Sequence, residues 1–166
     1  MTDPLNERNF LHAVAVHSWI QNKNSPGQFL AESNAMLCYL AEGTPYLPAD
    51  AWQRAKVLEW LFFEQYSHEP YIATVRWWVH YLGKQDEWRE KIAEAMKKGY
   101  AALEVMGAQL AKTPFLAGEQ FTIADIALFA YTDVAHQGGY DVARVPAVQG
   151  WLARVRSQPG FVPMAA

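Results

Sequence analysis

The stretch that most constrains this chain is Phe121-Thr122-Ile123-Ala124-Asp125-Ile126-Ala127-Leu128-Phe129-Ala130. It reads as the start of a buried helix. Thr122 is placed as the N-cap, its hydroxyl accepting from the backbone N–H of Asp125. The Asp125 carboxylate returns to the N–H of Thr122, a capping box with aspartate in place of the usual glutamate. Phe121 ahead of the cap and Ile126 beyond it are spaced for a hydrophobic staple. A carboxylate in the first turn also suits the positive end of the helix dipole. From Ile126 to Tyr131 the sequence is apolar nearly all round, so other helices must surround this one. The motif explains folding fully and is read as a capped core helix without chemistry of its own.

The rest of the chain supplies neighbours for it. Asp50 is an N-cap signal with Gln53 as its partner, and Ala51, Ala55, Leu58 and Phe62 recur on one helical face. The pattern persists to Leu82 across Pro70. A proline there removes the N–H that would bond to Tyr66, so the spacing predicts one long helix kinked between Tyr66 and Pro70. Gly83 to Gln85 form a turn. Asp86 to Lys112 is the clearest amphipathic helix, with Trp88, Ile92, Met96, Gly99, Leu103, Met106 and Leu110 inside and Glu87, Lys91, Glu94 and Lys98 in water. The short connection makes it antiparallel to the kinked helix. Thr113-Pro114 stops it. The capped core helix runs from Thr122 to about Val134 and ends at Gly138-Gly139. Pro146 is suited to a first helical position. Val148, Trp151, Leu152 and Val155 form the last buried stripe, with Phe161 packing back.

Composition narrows the function classes. An apolar content of 51% in 166 residues supports a real core in one domain, or one domain plus a fragment. A net charge of −3 gives no electrostatic footprint for nucleic acid or an anionic membrane. No apolar run approaches a membrane span. A single cysteine, Cys38, excludes an internal disulfide and points to a reducing compartment. Met1-Thr2-Asp3-Pro4 lacks the basic start of a signal peptide. A cytoplasmic protein is expected.

Few stretches carry candidate chemistry. Phe10 to Ile20 fits a strand or a short helix equally; it holds His12 and His17, without the further ligands a metal would need. Ser25-Pro26-Gly27 is a turn signal. In Leu30 to Ala41, Ser33 is a plausible N-cap. On spacing alone the segment is a capped short helix; free N–H groups and a serine hydroxyl at a helix start also make a carboxylate site, and Glu32 beside them is placed to receive an ammonium. Cys38 lies on an apolar background one turn in and reads as inert. The kink carries Glu64, Gln65, Tyr66, Ser67, His68 and Glu69, with Arg76, Trp77 and Trp78 beyond. It fits a ligand cleft or a solvated bend with an ion pair. Glu64 and Glu69, five apart, are expected on different faces, which does not support a paired-carboxylate hydrolase site. There is no Gly-rich phosphate loop, Cys/His cluster or nucleophile–base–acid set.

Ala31-Glu32-Ser33-Asn34-Ala35 with Tyr39-Leu40-Ala41, the Arg54 to Arg76 helix, Phe115-Leu116-Ala117-Gly118 followed by Phe121 to Asp125, and Pro146 through Trp151 to Phe161 together resemble the glutathione S-transferase family, over roughly residues 27–166. The resemblance implies a mainly all-α fold: a family C-terminal helical bundle over 45–166, with a remnant of the thioredoxin-like N-terminal domain over 1–44. It implies glutathione as co-substrate, no other cofactor and no metal, with Glu32 and Ser33 gripping its γ-glutamyl end. The bend would be the electrophile pocket, with Tyr66, Glu69 and Arg76. Complete relatives conjugate the glutathione thiolate to small hydrophobic electrophiles and are usually homodimers. Here Phe29-Leu30 directly follows Asn24-Ser25-Pro26-Gly27-Gln28, so the Val-Pro strand, its cis-proline and the next strand are expected to be missing. No residue matches the family's activating Tyr, Ser or Cys, and an impaired enzyme is expected. The alternatives are a non-catalytic helical module for binding or dimerisation, and a truncated or mis-started gene product.

Overall fold

The computed structural model describes residues 20–22, 25 and 27–164. The expected strand or short helix over 10–20, with His12 and His17, lies outside these residues apart from Ile20. Ile20–Gln21 (β1) pairs antiparallel with Phe29–Leu30 (β2), Ile20 opposite Leu30 and Gln21 opposite Phe29. Gly27, at φ 90°, turns the chain between them. The strand ahead of the first helix is therefore present in two-residue form, which corrects the expectation that it is missing. Among the described residues no peptide bond is cis.

Six α-helices follow: α1 (Ser33–Ala41), α2 (Ala51–Phe63), α3 (Glu69–Arg76), α4 (Arg89–Leu110), α5 (Ile123–Asp133) and α6 (Pro146–Arg156). The expected kinked helix is α2 and α3 joined without a break. A wider π-helical turn, Glu64–His68, links them, and a second one, Trp77–Tyr81, follows α3. At the junction the Glu69 N–H reaches back to the Glu64 carbonyl, five residues away. Pro70 has no N–H to offer its own turn, so the wide turn absorbs the missing donor.

The structure corrects two expectations along this helix. The buried face of α2 is Val57, Trp60 and Leu61, and it continues through Glu64 and His68. Phe62 is 72% exposed, so the stripe drawn through Ala51, Ala55, Leu58 and Phe62 is displaced around the helix. Glu64 and Glu69 also do not diverge. Gln65 Nε2 donates to Glu64 Oε2 at 2.7 Å and to Glu69 Oε2 at 2.9 Å.

The core is built around α5. Every residue from Ile123 to Ala130 is buried. Thr122 and Asp125 form the expected capping box, and the Thr122 N–H donates to Asp125 Oδ2 at 3.0 Å. The same carboxylate reaches further than a cap needs: its Oδ1 accepts from the Leu116 N–H and from Trp151 Nε1, both at 2.9 Å. The start of α5 is thus tied to the preceding loop and to α6. Phe121 meets Phe115 and Tyr46 edge-on, at 5.6 and 6.0 Å between ring centroids. The stripe on α6 is as expected, with Val148, Trp151, Leu152 and Val155 buried, and Phe161 packs back edge-on against Phe129 at 5.5 Å. Each fully buried large apolar side chain contributes about 1.5–3 kcal/mol of transfer free energy.

The helix α4 starts at Arg89 rather than Asp86; Asp86 to Trp88 lie in the turn before it. Lys91 Nζ lies 4.3 Å from the Trp78 ring centroid and Lys98 Nζ 5.2 Å from that of Tyr71. Rising numbers on one helix meet falling numbers on the other, so the two run antiparallel as expected. Gly99 makes their neighbour fit: a Cβ there would stand 2.3 Å from Tyr140 Oη. Among the described residues no helix is long and apolar enough to cross a membrane.

Candidate functional site

The first turn of α1 differs from its sequence reading. The helix begins at Ser33 itself, Glu32 occupies the N-cap position, and no side chain caps the turn. Ser33 is therefore corrected from N-cap to first helical residue. Glu32 lies at φ 69°, ψ 117°, the only positive φ outside glycine among the described residues. Such a backbone costs on the order of 1–3 kcal/mol and persists only where surrounding contacts enforce it. The Met36 N–H donates to the Glu32 carbonyl at 2.9 Å, the first bond of the helix. The strained residue leaves the Glu32 side chain exposed and Ser33 half-buried beside the first-turn amides, which no α-helix can pair internally.

Asn34, next in the chain, joins this turn to the π-helical junction. Its Nδ2 donates to the Leu61 carbonyl at 3.1 Å and to Glu64 Oε2 at 3.0 Å. Glu64 is 3% exposed, and burial pushes its carboxyl up to about 7, beyond what the Gln65 and Asn34 hydrogen bonds recover. Tyr131, half-buried on α5, faces the same carboxyls. Its phenol is pushed up to about 12, chiefly by burial and then by Glu69 and Glu64.

Tyr66, Glu69 and Arg76 are not brought together as one pocket. Tyr66 is 85% exposed. Glu69 is engaged by Gln65 and Tyr131. Arg76 Nε donates to Gln137 Oε1 at 2.6 Å, and its Nη2 donates to the Tyr81 hydroxyl at 2.8 Å. Glu69 and Arg76 do converge electrostatically on Tyr131.

Asn34, Tyr131 and Gln137 were missed in the sequence. The first two sit at the end of a legible motif, beside Ser33 and after the core run to Ala130; Gln137 has no local signal. His68, fully buried on the same turn, is different in kind. The Thr132 hydroxyl donates to the Leu128 carbonyl at 2.7 Å, so at 2.8 Å it accepts from His68 Nε2–H. Burial keeps His68 neutral, lowering its pKa to about 3. Cys38 is half-buried, and desolvation raises its thiol pKa. Among the described residues no group of three or more His, Cys, Asp and Glu side chains is placed to hold a metal ion.

The arrangement sets a helix start without a side-chain cap next to an exposed carboxylate, with a buried carboxyl tie behind both. Residues 65–159 match the model of the glutathione S-transferase C-terminal domain. The disulfide-bond oxidoreductase YfcG of Escherichia coli is 32% identical, over 78% of this chain and 60% of its own length. The chain thus spans less than two thirds of that relative. The crystal structure of a glutathione S-transferase from Pseudomonas fluorescens Pf-5 superposes with a TM-score of 0.84 at 50% identity, covering 87% of this chain and 71% of that one. A glutathione transferase from Burkholderia graminis, with two glutathione molecules bound per subunit, superposes with a TM-score of 0.70 at 26% identity, over 82% of this chain and 61% of that one.

Proposed function

The chain belongs to the glutathione S-transferase family, and on that premise we propose that it binds glutathione at the start of α1. The γ-glutamyl carboxylate lies against the Ser33 hydroxyl and the first-turn N–H groups, where the helix dipole favours an anion. The ammonium faces Glu32. The observation that carries this reading is the Glu32 backbone, held at φ 69° directly ahead of an accessible helix start. A structural turn gains nothing from such strain, whereas a binding turn gains a fixed carboxylate.

In this reading residues 1–44 are the thioredoxin-like remnant and 45–166 the helical domain. Glutathione is the co-substrate, no cofactor is required, and the cytoplasm supplies the ligand. A small hydrophobic electrophile is the second substrate in this reading. The chemistry of the family is attack of the glutathione thiolate on that electrophile. It is slow in this reading, because no group among the described residues is placed to donate to the sulfur, and a thiol needs such a donor to react as thiolate at neutral pH. A conjugation assay with glutathione and a chloronitrobenzene tests this. Turnover weakly above background and lost in Ser33→Ala is expected. Turnover unaffected by Ser33→Ala overturns the site.

A second reading, a dimerisation module, is favoured by one surface. Trp52, Phe62 and Val105 are 76%, 72% and 50% exposed. Val105, Trp60 and Phe63 line a cleft of about 250 Å³ between α2 and α4. Exposed aromatics on the helix that forms one wall of a cleft fit a second copy of the chain. Sedimentation analysis distinguishes the two: a dimer abolished by Phe62→Glu supports association through this face.

A further inference from the structure

We infer that Glu64 is the positioning residue of the proposed glutathione site, its carboxyl proton setting how firmly Asn34 holds the start of α1. The inference rests on the glutathione reading for its ligand, and on geometry for its mechanism.

Both amide hydrogens of Asn34 are committed, one to the Leu61 carbonyl and one to Glu64 Oε2. Asn34 adjoins Ser33 and stands two residues from the strained Glu32. The connection from ligand site to carboxyl is therefore a single side chain. Glu64 Oε2 receives two N–H donors, from Asn34 and Gln65. A carboxylate accepts both without conflict. A carboxylic acid carries its O–H on Oε1, and Oε2 is left a neutral carbonyl oxygen that accepts the same two donors without charge assistance. Protonation thus weakens the Asn34 tie, and ionisation restores it as a charge-assisted bond.

The surroundings decide where that change falls. On its own helix Glu64 faces Gln65 and Glu69, and the second carboxylate disfavours a charge on the first. From α5 it faces Tyr131, which stays neutral. From α1 it faces Asn34. Every buried side chain of α4, packed on the same turn, is apolar. Arg76, the nearest cation along α3, is taken by Gln137 and Tyr81. No cation holds Glu64 ionised, and its carboxyl titrates in the neutral range.

The test pairs two measurements on the wild type and Glu64→Gln from about pH 5.5 to about pH 8.5, a range that brackets the transition. The first follows the Asn34 side-chain amide of the free protein by NMR. Its shift is expected to titrate in the wild type and to stay flat in Glu64→Gln. The second is calorimetry with glutathione. The wild type should bind about fivefold more tightly at the alkaline end, the order expected as a neutral hydrogen bond becomes charge-assisted. Glu64→Gln should bind at every pH as the wild type does at the acid end. An Asn34 amide that does not titrate overturns the inference whatever glutathione does. Glutathione binding that keeps its pH dependence in Glu64→Gln also overturns it. If glutathione fails to bind at any pH, the proposed function falls, while the Asn34 titration still decides the tie.

Discussion

Trp151 Nε1 donates to Asp125 Oδ1 at 2.9 Å, joining the first turn of the central helix to a residue 26 positions further along the chain. The same oxygen accepts from Leu116, and Oδ2 accepts from Thr122. One carboxyl therefore closes three contacts between the loop, α5 and α6. Removing it strands three buried N–H donors, each costing about 1–3 kcal/mol. Asp125→Ala should lose about 3–5 kcal/mol of stability in denaturant unfolding, with Asp125→Asn intermediate because it keeps one acceptor oxygen. A loss below about 1 kcal/mol would mean that the cap is local and ties nothing else.

Glu64 should make the fold less stable as pH rises. Burial raises its carboxyl from 4.5 to about 7, so between these values the folded chain holds a proton that the unfolded chain has released. Stability then falls as pH rises through this window. Glu64→Gln should be more stable than the wild type at about pH 8, by on the order of 2 kcal/mol, and no more stable near pH 4. Thermal unfolding at the two pH values checks it. Equal differences at both would show that the charge is not the cause.

His68 acts in the opposite sense. Its folded pKa is lowered from 6.5 to about 3 by burial, so below 6.5 the unfolded chain takes up a proton that the folded one refuses. Its contribution is present above 6.5 and is lost as pH falls toward 3. His68→Leu should flatten the acid limb of the stability curve, measured by chemical unfolding at a series of pH values. An unchanged acid limb would place the sensitivity elsewhere.

Gly99 is a test of packing. An added Cβ would meet Tyr140 Oη at 2.3 Å and Cζ at 2.7 Å, against a ring only 2% exposed. Alanine in a helix interior normally gains about 1 kcal/mol over glycine. Gly99→Ala should instead destabilise by about 1–3 kcal/mol, because a packed ring must move. A rise in Tm would show that Tyr140 yields freely.

How much of this was legible in the sequence depends on whether residue type agrees with burial. Thr122 with Asp125, and Val148 through Val155, follow ordinary capping and spacing, and the structure repeats them. The α2 face fails because residue type misleads there: the face that packs is Val57, Trp60 and Leu61, continuing at regular spacing through Glu64 and His68. Phe62, apolar but exposed, and Glu64 and His68, polar but buried, reinforced the wrong register. Serine before an apolar run is a good N-cap by propensity. Nothing in the sequence shows that Glu32 takes that position in a strained backbone. The roles of Asn34 and Tyr131 come from contacts across three helices, which no local pattern encodes.

The central claim is that the first turn of α1 holds glutathione. Titration calorimetry with glutathione, on the wild type and on Ser33→Ala, tests it most directly. The account predicts saturable binding to the wild type, weakened at least about tenfold in Ser33→Ala, the order of one charge-assisted hydrogen bond. Binding of equal strength in both proteins, or none to a folded wild type, would contradict it.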